Sequence, residues 1–222
     1  YAEAHKNLGI TLRDLGQLDN AVESLNNAIA IDPNYVDAHY NLAITLKDLN
    51  HLDKAVKSYN KVIELNPNFV QAHNNLGNIY KDLEQSESAI QSYTKAIEIK
   101  PDFAHAHNNL GSVFNDLGRW EEALESYSKA LEYNPENNEA YENLIKLLTF
   151  YKPKKANSNS IVIANQELQN IKYNYNSNKK ITDNEISNFF KNCNKIILKN
   201  KNKISFNRSQ IYRRNTIDLN CN

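Results

Sequence analysis

Five asparagines recur along this chain at an interval of thirty-four residues, and their type and spacing could bind a peptide. They are Asn7, Asn41, Asn75, Asn109 and Asn143. A carboxamide offers a hydrogen-bond donor and an acceptor together, which suits a peptide backbone of any sequence. Asparagine is common throughout the chain, so composition alone could place it at some of these positions. Because the same position is filled five times, we predict a ladder that binds an extended peptide.

A second polar series follows each of the first four asparagines by seven residues. It comprises Asp14, Asp48, Asp82 and Asp116. Helical spacing places both series on one face, which also carries Asn78 and is otherwise polar apart from Ile10 and Ile44. A carboxylate in the last turn of a helix faces the negative end of the helix dipole, so local energetics do not favour it. We predict that these aspartates contact a ligand or form hydrogen bonds between helices.

Four histidines with the same interval could suggest a metal site. They are His5, His39, His73 and His107. Zinc requires ligands that converge to about 2.0–2.1 Å, whereas equivalent residues of a stack are a whole repeat apart. We therefore predict packing roles for the histidines and no metal or other cofactor. Arg13, Lys47 and Lys81 lie near helix C-termini, where we expect them to offset the helix dipole.

The elements that must position these residues are pairs of amphipathic helices. Apolar residues return at three- and four-residue steps within each thirty-four-residue unit, and a fixed period in this range indicates stacked supersecondary units. Residues tolerant of positive φ are expected at Gly16, Asn50 and Gly118, with Glu84 at the equivalent place. Proline ends each second helix, at Pro33, Pro67, Pro101 and Pro135. We predict four units, 2–35, 36–69, 70–103 and 104–137, followed by a terminal helix over 138–151.

These residues resemble the tetratricopeptide-repeat (TPR) family. The first helices carry Leu8-Gly9, Leu42-Ala43, Leu76-Gly77 and Leu110-Gly111, and the second helices carry Ala21, Ala55, Ala89 and Ala123. An aromatic residue or leucine follows at Leu25, Tyr59, Tyr93 and Tyr127. The histidines depart from the family, which often has a large aromatic residue at that position, and Tyr141 restores it. The resemblance implies an all-α, right-handed solenoid.

In a TPR stack the first helices line the inner, concave surface, so the resemblance implies that both polar series lie in a groove. Neighbouring helices pack roughly 8–10 Å apart. Successive asparagines of the ladder, which we call its rungs, could therefore meet successive stretches of an extended peptide. The asparagine series is similar to the ladder of O-GlcNAc transferases, where it holds the backbone of the protein substrate. Nothing in residues 152–222 resembles a glycosyltransferase domain.

The chain has two parts of opposite charge. Residues 1–151 carry 12 Lys and Arg against 22 Asp and Glu, whereas residues 152–222 carry 14 against 4, with 17 asparagines and no glycine. This composition predicts weak order in the second part. Thr182 and Glu185 form a capping box ahead of apolar residues at helical spacing, so we predict one helix over 183–199. Lysines spread among asparagines form no dense patch, which disfavours nucleic-acid binding.

The remaining composition excludes several classes of protein. No stretch approaches the roughly 18 apolar residues of a membrane helix, so we expect no membrane partner. Cys193 and Cys221 cannot form a disulfide framework, which favours a reducing, cytoplasmic location. The chain starts at Tyr1 without a methionine, and we expect it to be part of a longer protein.

The sequence therefore predicts a protein-interaction module that binds a partner protein or an extended peptide in the concave groove, without catalysis in this chain. One alternative is the substrate-recruiting arm of a larger enzyme, such as a glycosyltransferase. Another is a structural scaffold that assembles a complex through its outer surface. Replacing Asn41, Asn75 and Asn109 with alanine would weaken peptide binding only if the groove is used.

Overall fold

The computed structural model describes residues 1–150, except for the side chains at 145 and 148–150. The described residues form nine α-helices: α1 (Ala2–Asp14), α2 (Leu18–Ile31), α3 (Val36–Asp48), α4 (Leu52–Leu65), α5 (Val70–Asp82), α6 (Ser86–Ile99), α7 (Ala104–Asp116), α8 (Trp120–Tyr133) and α9 (Asn138–Phe150). The chain divides into two compact units, Tyr1–Ala140 and Tyr141–Asn222. The helix predicted over 183–199 lies outside the described residues.

Within the first unit the helices pack as successive pairs. Each odd-numbered helix up to α7 packs on the helix that follows it, and each even-numbered helix up to α6 packs on the next pair. The first helices of neighbouring pairs also touch, α1 with α3 and α5 with α7. The predicted all-α stack of helix pairs is confirmed for the described part of the chain.

Each first helix ends in a Schellman motif, which satisfies two carbonyl groups that the helix leaves open. In α1 the N–H of Gly16 bonds to the carbonyl of Arg13 (2.9 Å), and the N–H of Gln17 bonds to that of Leu12 (2.8 Å). The motif requires a left-handed backbone at its turn residue, and φ is 75° at Gly16 and 68° at Gly118. Asn50 and Glu84 adopt the same conformation, each with φ 58°. Glutamate has a Cβ that disfavours this conformation, so the third turn is strained.

Each second helix up to α8 ends two residues before a proline. The preceding residue turns into extended backbone, as at Asp32 (φ −133°, ψ 96°) and Asn66 (φ −139°, ψ 90°), which is the conformation that a following proline favours. The proline interval therefore fixes the length of each second helix.

The core of each pair includes a small and a large residue that lie four positions apart on the second helix. Ala21, Ala55, Ala89 and Ala123 are completely buried, and so are the larger side chains beside them, Leu25, Tyr59, Tyr93 and Tyr127. The two helices of a pair approach closely at Gly77, because a Cβ there would lie 2.6 Å from Cε1 of Tyr93. Glycine at this position leaves room for the tyrosine ring against the first helix.

No helix among residues 1–150 is both long enough and apolar enough to cross a membrane.

Candidate functional site

The structure places the first four predicted asparagines at the same level of successive first helices. Asn7 is exposed in α1, whereas Asn41, Asn75 and Asn109 are half-buried in α3, α5 and α7. Asn143 is half-buried in α9 and belongs to the other compact unit. We call the side of α1, α3, α5 and α7 that carries these asparagines the first-helix face.

Asn75 joins two helix pairs. Its Nδ2 donates to the hydroxyl oxygen of Tyr40 on α3 (3.1 Å) and to that of Tyr59 on α4 (3.2 Å). Its Oδ1 accepts a bond from Nδ2 of Asn74 (3.3 Å). Both N–H groups of the Asn75 amide are therefore used inside the stack.

Asn109 repeats this arrangement one pair further on. Its Nδ2 donates to Oδ1 of Asn74 (3.1 Å) and to Oδ1 of Asn78 (3.0 Å), both on α5. Asn78 Oδ1 also accepts a bond from the hydroxyl of Tyr93 on α6 (2.7 Å). The Oδ1 atom of Asn109 accepts no hydrogen bond from the residues that the structure describes.

These bonds form one continuous set, which we call the amide–tyrosine network. Its members are Tyr40, Tyr59, Asn74, Asn75, Asn78, Tyr93 and Asn109. A connected buried network fixes the orientation of every group in it. The amide N–H groups of Asn75 and Asn109 consequently point into the stack.

Asn41 and Asn7 lie outside this network. The Nδ2 of Asn41 donates to the carbonyl of Asp37 in its own helix (2.7 Å), and its Oδ1 accepts from Nη1 of Arg13 (3.4 Å). The side chain of Asn7 has no hydrogen bond within the described residues; only its backbone carbonyl accepts one, from Thr11 (3.0 Å). The first pair offers no acceptor for Asn41, because Leu25 stands where the later pairs have tyrosine.

The predicted aspartates all lie exposed at the ends of the first helices. Nζ of Lys47 lies 3.9 Å from Oδ2 of Asp82, and Nζ of Lys81 lies 3.9 Å from Oδ2 of Asp116. Oδ1 of Asp14 lies 3.3 Å from Nη2 of its neighbour Arg13. Asp48 forms no ion pair in the described part of the chain. Exposed pairs of this length stabilise a protein by less than about 1 kcal/mol. Two of the four aspartates thus link neighbouring pairs, and contact with a ligand stays a prediction.

The basic residues of the first helices have a role that the sequence did not suggest. We predicted that they offset the helix dipole, and they do lie in last turns. Lys81 additionally donates to Oγ of Ser112 on the next first helix (2.7 Å), and Arg13 reaches Asn41 in the same way. These side chains therefore lie along the first-helix face and connect one pair to the next.

The sequence also did not reveal the tyrosine hydroxyls at this face. Burial raises the pKa of Tyr59 and Tyr93 far above its usual value, and it raises the pKa of Tyr127 to about 12 against the opposing effect of a bond with Ser112. These tyrosines stay protonated at physiological pH and act as fixed polar groups. Their recurrence on the second helices was the available signal, but we assigned them to packing alone.

The histidines make a repeated contact with the preceding turn. Nε2 lies 2.9 Å from the carbonyl oxygen of Pro33 for His39, 2.9 Å from that of Pro67 for His73, and 2.8 Å from that of Pro101 for His107. A carbonyl only accepts, so Nε2 carries the proton. Burial lowers the pKa of His107, which keeps its imidazole neutral. Among the described residues no cluster of three or more His, Cys, Asp or Glu could hold a metal ion.

A cleft of about 240 Å³ lies among α6, α7 and α8. Ile97, Leu110 and Phe114 contribute apolar surface, and Glu125 and Lys129 contribute an ion pair (3.5 Å). It contains no residue of the amide–tyrosine network and remains separate from the first-helix face.

Comparisons with known proteins agree with this geometry. A family model described as TPR repeat matches residues 9–50, 45–84 and 77–116, and one described as tetratricopeptide repeat matches residues 104–137. A search of curated proteins found no match.

Several solved structures are similar to the chain. PilF of Pseudomonas aeruginosa is 25% identical, with 67% of this chain and 68% of that one covered and a TM-score of 0.62. MamA of Desulfovibrio magneticus RS-1 is 22% identical, with 67% and 84% covered and a TM-score of 0.61. YrrB, described as a TPR protein with an unusual peptide-binding site, is 19% identical, with 68% and 77% covered and a TM-score of 0.57.

Proposed function

Because the chain belongs to the tetratricopeptide-repeat family, whose repeats serve as protein-interaction scaffolds, we propose that it binds an extended polypeptide on the first-helix face. The ligand's backbone N–H groups donate to the Oδ1 atoms of Asn41, Asn75 and Asn109. In this proposal residues 1–151 are the binding module, residues 152–222 are a separate segment, and this chain carries out no catalysis.

The orientation of the ladder amides carries this proposal. The N–H groups of Asn75 and Asn109 are bonded inside the stack, and that of Asn41 is bonded to a carbonyl of its own helix, so the atoms left for a ligand are carbonyl oxygens. Oδ1 of Asn109 has no donor in the described residues. Oδ1 of Asn75 has one donor, Asn74, at 3.3 Å, and Oδ1 of Asn41 has one, Arg13, at 3.4 Å, so each can still accept a second bond. An extended peptide supplies the complementary N–H groups.

The spacing of the rungs also fits an extended chain. Packed helices lie roughly 8–10 Å apart, and an extended chain advances about 3.3 Å per residue. Every third residue of a ligand would therefore meet a new rung. Amides held in place by the network lose little freedom on binding, which favours affinity.

Backbone N-methylation provides the sharpest test. An array of random peptides supplies a ligand, and fluorescence anisotropy measures its affinity for the full chain. A version of that peptide with methylated backbone nitrogens should bind at least about fivefold more weakly for each hydrogen bond removed. Unchanged affinity would show that the ladder oxygens do not accept from the ligand backbone.

A matched pair of variants separates binding from stability. Asn109→Ala removes a ladder oxygen and loosens the amide–tyrosine network, whereas Tyr93→Phe loosens the same network at Asn78 and leaves the ladder intact. We expect weaker peptide binding for Asn109→Ala only. An equal loss in both variants, or a loss in neither, would contradict the proposal.

A further inference from the structure

The first-helix face changes character along its length. At the ninth position of each pair the residue is Ile10, Ile44, Asn78 and then Ser112. At the fifth position the residue is Lys6, Tyr40, Asn74 and then Asn108. We call Ile10, Tyr40 and Ile44 the apolar half, and Asn74, Asn78, Asn109 and Ser112 the amide half.

The apolar half is a fixed surface that solvent still reaches. Ile10, Tyr40 and Ile44 are all half-buried. The ring of Tyr40 packs on Phe69 with centroids 4.9 Å apart and meets Tyr59 edge-on at 5.8 Å. Its hydroxyl is also held by Asn75 (3.1 Å). A side chain placed here would therefore bury apolar area against groups that do not have to reorganise.

Charge at the second position of each pair follows the same division. At the second position of each pair, Glu3 and Asp37 lie beside the apolar half, whereas Gln71 and His105 lie beside the amide half. Both carboxylates are exposed, and neither forms an ion pair with any residue in 1–150. Such carboxylates attract a cationic group on a ligand and help fix its register.

The amide half has the opposite preference. Lys81 is already engaged there with Ser112 (2.7 Å) and lies 3.9 Å from Asp116. The amides of Asn74, Asn78 and Asn109 are bonded to one another. A large apolar side chain would cover these polar groups without replacing their water, which costs free energy.

Building on the function proposed above, we propose that the groove selects a two-part extended segment. Over α1 and α3 the segment carries an apolar side chain next to a lysine or arginine, and over α5 and α7 it carries small or uncharged polar side chains. The division of the face, and not its ladder, determines which sequences bind.

Three labelled peptides of about ten residues test this selection, since that length spans the four rungs. The reference peptide has isoleucine and lysine in one half and serine and alanine in the other. A second peptide replaces isoleucine with serine, and a third replaces lysine with glutamate. Each is made with the isoleucine–lysine half at either end, because the chain direction of the ligand is not assumed.

In one of the two directions the reference peptide should bind best. Loss of the isoleucine should weaken binding about tenfold. Loss of the lysine should weaken it about threefold at low salt and less at high salt, because salt screens exposed charges. If the three peptides bind equally, the groove function stands and the two-part selection is wrong. If none of them binds and the array also yields no ligand, the groove function itself fails.

A variant of the protein locates the selection. Ile10→Asn combined with Ile44→Asn should remove the preference for isoleucine over serine. The control is Ile31→Asn, which makes the same chemical change at an exposed residue at the end of α2 and should keep the preference. A preference that survives in the double variant would overturn the proposal. Circular dichroism checks that the double variant is folded at the assay temperature. If it is unfolded there, the comparison of the three peptides on the unaltered chain decides whether the two-part selection is right.

Discussion

Replacing Asn75 with alanine should destabilise the helix stack, because this one amide serves two tyrosine hydroxyls of the preceding pair. The hydroxyl of Tyr40 lies on a half-buried side chain, where water can replace the lost donor. Tyr59 is only 1% exposed, and its hydroxyl would lose a bond of 3.2 Å with little access to solvent. Of the two hydroxyls, that of Tyr59 therefore contributes most of the cost.

The size of the effect follows from these two environments. A buried polar group without a partner costs about 1–3 kcal/mol, and a hydroxyl that can rehydrate costs about 0.5 kcal/mol. Alanine favours the helix by roughly 0.5 kcal/mol relative to asparagine. We expect Asn75→Ala to lower the free energy of unfolding by about 2 kcal/mol. The double variant Asn75→Ala with Tyr59→Phe should be about 1 kcal/mol more stable than the sum of the two single changes predicts, since it no longer contains a buried hydroxyl without a partner.

Urea unfolding of the full chain, followed by far-ultraviolet circular dichroism, measures these changes. Asn7→Ala is the control, because it makes the same substitution at the same repeat position where the side chain has no bond in the described structure. That variant should stay within about 0.5 kcal/mol of the unaltered chain. Equal stability of the Asn75 and Asn7 variants, or strict additivity in the double variant, would refute the role assigned to the network.

Three further substitutions test the packing around the site. Glu84→Gly should raise stability by up to about 1 kcal/mol, because φ is 58° at this turn; a lower melting temperature would contradict the strain. Gly77→Ala should lower the urea midpoint by the equivalent of about 1–2 kcal/mol, since the new Cβ would lie 2.6 Å from Tyr93. This loss should exceed the gain from alanine's better helix propensity. A rise in the midpoint would contradict the close approach at Gly77. Burial lowers the pKa of His107, so the unfolded chain binds the proton more readily and stability should fall as pH drops below about 6.5. His107→Gln should show a smaller fall between neutral and mildly acidic pH, and identical profiles would show that His107 is not responsible.

The sequence was sufficient to predict the helix pairs, because their packing depends on spacing alone. The interval of the alanines and prolines locates each second helix, and the turn residues locate the end of each first helix. Residues such as Ala55 and Tyr59 recur at the thirty-four-residue interval because they fill the core of each pair, and both are buried.

The partners of the polar residues could not be predicted in the same way. Which groups meet across two pairs depends on the offset between helices and on side-chain rotamers, and neither is encoded in a periodic pattern. Asn75 was predicted to bind a ligand, whereas its amide N–H groups donate to Tyr40 and Tyr59 inside the stack. Lys81 was assigned to the dipole of its own helix and also bonds to Ser112 of the next.

The direction of the bonds in the amide–tyrosine network imposes an order on the helix pairs. At each joint in the network, the later pair supplies the amide N–H and the earlier pair supplies the oxygen. The first pair has Lys6 and Leu25 where later pairs have amides and tyrosines, so it has no oxygen to offer. A gene rearranged to put this pair in the middle would encode a joint whose ladder amide donates within its own helix, as Asn41 does to Asp37 (2.7 Å), and not to the preceding pair. The repeated units are therefore not interchangeable, and duplication of the third pair would be tolerated better than duplication of the first.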